Sequence, residues 1–185
     1  MTVRPAPLGA RAVVVGGTAW AWVAADVDPR WVQGWIAAAP DPIAAPLSAR
    51  FLAALADETG VEPGVVDAVL VAPTAPVDPV IPLQPLHRPD HPRVQRAHRH
   101  RTDVQVLGTP DGAAVLVLGR GLAGRWEQKD PTSPHDALRT PRAPDVAPMV
   151  DGALWAQVAP ANTASMRSFL AAGYRVVCAE SLFGT

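Results

Sequence analysis

The stretch Leu154-W-A-Q-V-A-P-A-Asn162-T-A-Ser165-M-R-S-Phe169-L-A-A-Gly173-Tyr174 decides how this chain is read. Ala153 to Ala159 is a short, mostly apolar run, which predicts a strand. Asn162 is a favoured N-cap residue, and Ser165 stands at the third helical position after it. The helix is therefore expected from Asn162 to Ala172, with Gly173 ending it. Tyr174 to Cys178 predicts a further strand. Strand, helix and strand in immediate succession are the unit from which α/β layers are built.

Upstream lies Val115-L-V-L-Gly119-R-Gly121-L-A-Gly124-R-Trp126-Glu127, a strand running into G-x-G-x-x-G. A phosphate-cradling loop of that pattern has to open a helix, whose first N–H groups meet the anion. Here Arg-Trp-Glu-Gln-Lys-Asp-Pro follows Gly124, and Pro131 would stop a helix within two turns. The motif is accordingly read as a glycine-rich turn between two antiparallel strands. Thr102 to Leu107 and Ala113 to Leu118 predict a hairpin closed by T109-P-D-G112. Glu127 to Pro144 has four prolines, no apolar periodicity and the sole lysine, Lys129, so a surface loop or disordered stretch is expected there.

On the Asn162-to-Gly173-Tyr174 spacing, the sequence resembles the C-terminal motif of the GNAT superfamily of N-acetyltransferases. The Leu107 to Trp126 hairpin and the ending R-V-V-C-A-E-S-L-Phe183 also resemble a subset of actinobacterial GNAT-like proteins. The resemblance covers roughly His91 to Phe183. It implies an α/β fold with a GNAT-like mixed, partly antiparallel sheet flanked by helices. It also implies acetyl transfer from acetyl-CoA, bound in a splay between two central parallel strands, to an amine substrate. Carried over residue by residue, it assigns coenzyme contacts to Asn162, Ser165 and Arg167, beside the N-cap role already read for Asn162. Glu127, at the end of a strand that in the family borders the groove, reads as a structural surface carboxylate or as the candidate base, and a place beside Trp126 would raise a carboxylate's pKa toward that task.

Two departures stand against that pattern. No Arg/Gln-x-x-Gly-x-Gly loop or apolar helix stands between Glu127 and Leu154, and the loss of its N–H donors removes charge-assisted hydrogen bonds of ~1.5–3 kcal/mol each. Phe169 occupies the place, seven residues after Asn162, where the family commonly has a proton-donating Tyr. The sequence therefore supports an N-acetyltransferase, or a non-catalytic binding or regulatory module that kept the fold and lost coenzyme binding. A third reading treats the segment after Glu127 as a deletion or shifted frame.

The first half is read more coarsely. Ala12 to Val15 predicts a strand closed by Gly16-Gly17. Pro29 to Ala38 predicts a helix with Trp31, Trp35 and Ala38 on one face. Ser48 to Thr59 predicts a helix capped by Ser48, striped by Phe51, Leu52 and Leu55, and stopped by Gly60. Val65 to Ala72 fits a buried strand or a short helix equally. Pro73 to Pro92 reads as an extended connector, and His91 to Arg101 as a basic turn or short helix. Residues 1–90 are expected to form an N-terminal α/β portion, and 91–185 a GNAT-like portion with an irregular insert at 127–150, the two making one compact unit.

Composition narrows the classes. The 185 residues are 49% hydrophobic and 18% charged, with a formal net charge of -1, so no overall field draws nucleic acid or a membrane surface. Cys178 is the only cysteine, which excludes an internal disulfide, and a place in a buried strand makes it a small hydrophobe. No apolar run approaches the ~20 residues of a membrane span, and no signal-peptide core is seen, so a cytoplasmic protein is expected. His87, His91, His98 and His100 could make a metal cluster, with His98 and His100 sharing one face of a strand. The neighbouring Arg88, Arg93, Arg96, Arg99 and Arg101 oppose a cation and read as a solvated basic face, or as contacts to RNA or the CoA 3′-phosphate. Most of the six tryptophans are expected in the core or half-buried. A sheet lacking its coenzyme helix would leave an apolar face uncovered, which suggests a homodimer.

Overall fold

A computed structural model describes residues 1–7, 10–72, 82–111, 115–129 and 152–184. Its described residues form ten strands and four α-helices, an α/β architecture with mixed strand pairing. The chain divides into two compact units, Met1–Ala68 with Val177–Thr185, and Val69–Val176. The last strand of the chain returns to the first unit.

In the first unit, β1 (Thr2–Arg4), β2 (Ala12–Gly17) and β3 (Trp20–Ala25) precede α1 (Pro29–Ala37), α2 (Ala49–Thr59) and β4 (Pro63–Val71). The last strand of the chain, β10 (Arg175–Phe183), lies between β2 and β4, giving the order β1-β3-β2-β10-β4. β2 pairs antiparallel with both β3 and β10. The hairpin turns at Thr18-Ala19, so Gly16 and Gly17, expected as the turn, are the last rungs of the ladder. The ladder continues because the alternating W-A-W-V-A-A of β3 supplies partners up to Gly17.

Phe51, Leu52 and Leu55 of α2 are buried, with Ser48 Oγ accepting from Phe51 N–H and Gly60 ending the helix, all as read from sequence. α1 differs by a rotation of about one residue: Val32 and Ile36 are buried, Trp31 and Trp35 flank them half-buried, and Ala38 is exposed. Wide indole rings reach the core from the edge of the helical stripe, so they misplace its centre. These residues join Ala12, Val14, Val23, Ala25 and Phe183 in one hydrocarbon core. Trp126 is buried and Trp31, Trp35 and Trp155 are half-buried, as expected for most of the tryptophans, while Trp20 and Trp22 are exposed.

The second unit takes up β4 at Val69 and continues with β5 (Gln84–Pro85), α3 (Pro92–His100), β6 (Thr102–Gly108), β7 (Val115–Arg120), β8 (Trp126–Lys129), β9 (Leu154–Val158) and α4 (Thr163–Ala171). The strand order is β4-β9-β8-β7-β6-β5. β5, β6, β7 and β8 are successively antiparallel, whereas β8 and β9 run parallel. Val65 to Ala72 resolves to a strand, and His91 to Arg101 to a helix. The turn reading of the glycine motif holds: Leu122–Gly124 is a single 3-10 turn between antiparallel β7 and β8.

Three expectations are corrected. Glu127, Gln128 and Lys129 belong to β8 and are not the start of a loop; Asp130 to Asp151, the rest of the expected insert, lies outside the described residues. Within the expected connector, Gln84–Pro85 pairs with Leu107 and Gly108. The strand expected over Tyr174 to Cys178 begins one residue later and runs on to Phe183. Polar residues hid β8, because a buried strand that carries charge shows no apolar period.

Candidate functional site

Alternation along β8 sends Trp126 and Gln128 to one face and Glu127 to the other. Glu127 lies beside Gly119 on antiparallel β7 and beside Trp155 on parallel β9. The helix α3 covers the face that Gly119 and Glu127 share, packing Val94 and Ala97 against Val117. Arg101, the residue after α3, then turns its guanidinium onto this face.

Both oxygens of Glu127 are engaged there. Arg101 closes side-on over Oε2, with Nε at 3.1 Å and Nη2 at 3.0 Å, and Arg125 Nε donates to Oε1 at 2.8 Å. The side chains of Glu127, Arg101 and Arg125 are only 3%, 9% and 15% exposed. Burial lowers the Arg101 pKa from its ordinary value; Glu127 opposes this by charge and hydrogen bonding, and Arg125 and Arg96 add to the lowering. Arg125 also stands over the Trp155 ring, 5.5 Å from its centre, a cation–π distance.

The glycine motif acquires its physical reason here. A Cβ on Gly119 would press on the Arg101 side chain at 3.0 Å, and one on Gly121 would overlap the Glu127 carboxylate. Gly119 and Gly121 keep one face of the strand end bare so that an arginine and a carboxylate can meet over it. The pattern that suggests a phosphate loop instead makes room for an internal ion cluster. Two glycines spaced by two at a strand end were the sequence signal for this cluster; Arg101 and Arg125 carried none of their own.

The opposite face is amide and aromatic. Tyr174 Oη donates to Gln128 Oε1, and Phe169 meets the Tyr174 ring edge-to-face at 4.9 Å. Gln128 is 1% exposed, and its Nε2 is a buried donor with no hydrogen-bond partner. Gly173 makes this arrangement possible at φ +90°, a left-handed turn that swings Tyr174 back under α4.

Asn162 caps α4, accepting from Ser165 N–H at 3.2 Å, which confirms the N-cap reading. Ser165 is buried and Arg167 exposed. Asn162 and Ser165 are thus brought together by the cap. No hydrogen bond or ion pair joins Glu127 to Asn162, Ser165 or Arg167; among the described residues its polar partners are the two arginines. Phe169 is fully buried against Tyr174.

His98 and His100 lie on α3 and not on a strand, so the shared face that a metal pair would need is not formed. His87, Arg88, Pro89, Asp90 and His91 line a depression of about 350 Å³. Cys178 is half-buried within β10. None of the four helices among the described residues is long and apolar enough to cross a membrane. Compared with known proteins, the chain matches no family model, no curated protein and no solved structure.

Proposed function

We propose that the chain is a GNAT-type N-acetyltransferase that moves the acetyl group of acetyl-CoA onto an amine. The reading is carried by one observation: parallel β8 and β9 pair over Trp126–Gln128 and Leu154–Ala156, β9 runs on to Val158, and the chain then enters the Asn162-capped α4. Among the described residues the parallel register covers three rungs, Trp126–Gln128 with Leu154–Ala156, and such a pair at the centre of a mixed sheet supports a splay at which a thioester arm would lie. Around that opening, the buried Gln128 Nε2 is a donor in want of an acceptor, which fits a ligand rich in amide and carbonyl oxygens. Asn162, Ser165 and Arg167 stand on the helix that would face the coenzyme. In the reaction the amine nitrogen bonds to the acyl carbon, the carbon–sulfur bond breaks, and the leaving thiolate takes up, through solvent, the proton that the nitrogen gives up.

A second reading, a non-catalytic module on the same fold, is favoured by the state of Glu127. Both of its oxygens accept from guanidinium groups, which leaves it acting as an internal counter-ion instead of a free base.

Calorimetric titration with acetyl-CoA, followed by thiol-release assays on a panel of amines, separates the two. Saturable heat with amine-dependent thiol release is expected. No heat at about 1 mM ligand, where even weak ~millimolar affinity registers, sinks the coenzyme assignment. Saturable heat without thiol release leaves the binding module.

A further inference from the structure

We propose that the solvent side of α3 docks on the phosphate backbone of double-stranded DNA, without reading its sequence. The net charge of -1 hides a strong segregation along the chain. Residues 87–101 hold five arginines and a single acid, Asp90, a formal charge of +4, so the rest of the chain carries -5. That segment is α3 together with the turn that leads into it.

Burial sorts the helix into two sides. Val94 and Ala97 pack inward against Val117. At about 100° per residue, Gln95, Arg96 and Arg99 fall together on the opposite side, with His98 and His100 flanking them. All five are exposed. Arg88, in the preceding turn, is exposed as well and lines the 350 Å³ depression with His87 and His91. Among the described residues no carboxylate pairs with Arg88, Arg96 or Arg99. Arg101 is engaged with Glu127 and takes no part. Arg96 and Arg99 stand three residues apart on one helix, a like-charge pair that costs helix stability and that a row of phosphates turns into attraction.

The composition of this side selects among polyanions. It has no Trp, Tyr, Phe or large aliphatic residue, so it offers nothing to insert into a lipid layer and no platform for the bases of a single strand. The nine residues of α3 make a rod about 13 Å long and about 10–12 Å across with side chains. The major groove of B-form DNA admits such a rod, whereas that of duplex RNA is too deep and narrow. Guanidinium groups grip the phosphate oxygens beside it through paired, charge-assisted hydrogen bonds. None of these residues belongs to the proposed acyl-transfer site, so failure of coenzyme binding leaves the inference standing.

The full chain is titrated into a short fluorescein-labelled DNA duplex, and anisotropy is followed between about 50 and 200 mM sodium chloride. With three phosphates held, by Arg88, Arg96 and Arg99, affinity should fall about 40-fold over that range. Arg96→Gln combined with Arg99→Gln removes two of the three contacts and should reduce the fall to about three- to fourfold. Both changes lie on the exposed side, and circular dichroism should show the fold intact. Arg50→Gln, at an exposed position of α2, should leave binding unchanged. Duplexes of unrelated sequence should bind within about twofold of one another, since phosphate contacts carry no base information. Absence of binding at about 50 mM salt, or binding that the double variant leaves unaltered, overturns the proposal. Tighter binding to an RNA duplex, to single-stranded DNA, or to vesicles of phosphatidylcholine and phosphatidylserine in equal parts overturns the assignment to DNA.

Discussion

The core that α2 covers in the first unit and the surroundings of β8 in the second are filled with different chemistry. Val14, Val23, Phe51, Leu55 and Phe183 pack as a hydrocarbon cluster, and the buried polar residues of that unit, Glu180 and Ser181, lie on β10. Around β8, the interior holds Glu127, Gln128, Arg101 and the Tyr174 hydroxyl, each hydrogen-bonded to another. A hydrocarbon core is held by area and tolerates exchange of one apolar shape for another. A polar interior is held by pairing, and each member is costly when its partner goes.

Volume-conserving substitutions expose that difference most sharply. Glu127→Leu keeps bulk but strands Arg101 and Arg125 beside each other, and about 3–5 kcal/mol of stability should be lost. Leu55→Met, at an equally buried position of the hydrocarbon core, should cost less than about 1.5 kcal/mol. Urea denaturation followed by circular dichroism measures both. Equal losses at the two positions would erase the distinction between the units.

The same contrast explains what could be read from the chain alone. The Ser48–Gly60 helix was legible because apolar residues recur at 3.6-residue spacing between a capping serine and a stopping glycine. The β9–α4 passage was legible from Asn162, Ser165 and Gly173, whose side-chain or backbone requirements are local. β8 was not. Trp-Glu-Gln-Lys has no period that hydrophobicity detects, and its burial depends on Arg101, 26 residues earlier in the chain. The α1 stripe was found but misaligned, because Trp31 and Trp35 reach inward from beside Val32 and Ile36. Glu127 reads from sequence as a surface carboxylate or a groove-side base, yet it is buried, and nothing local to it foretold two arginine partners.

Gly121 tests whether the bare strand end is needed for the ion cluster. Gly121→Ala places a methyl group in the space of the Glu127 carboxylate, so the cluster must shift or open. A loss of about 1–3 kcal/mol is expected, the usual cost of overpacking. Gly34→Ala provides the control: its added carbon meets nothing within 4 Å, and on a helix it should be neutral or stabilising by up to about 1 kcal/mol. A neutral Gly121→Ala would mean that the G-x-G spacing has no part in seating Glu127.

The smallest effect is expected where pairing can be removed whole. Gln128→Leu deletes an amide whose Nε2 already lacks a partner, but it also takes away the acceptor for the Tyr174 hydroxyl. These contributions oppose each other, and a net loss of about 1 kcal/mol is expected. Adding Tyr174→Phe removes the hydroxyl that donated to Gln128 while keeping the ring that meets Phe169. The double variant should therefore recover most of that loss, ending within about 1 kcal/mol of the parent, since replacing both partners of a buried hydrogen bond by apolar groups is close to neutral. Purely additive losses in the double-mutant cycle would show that Gln128 and Tyr174 do not depend on each other. Recovery would place this face of β8 among interiors that pairing governs, beside the ion cluster on the other face.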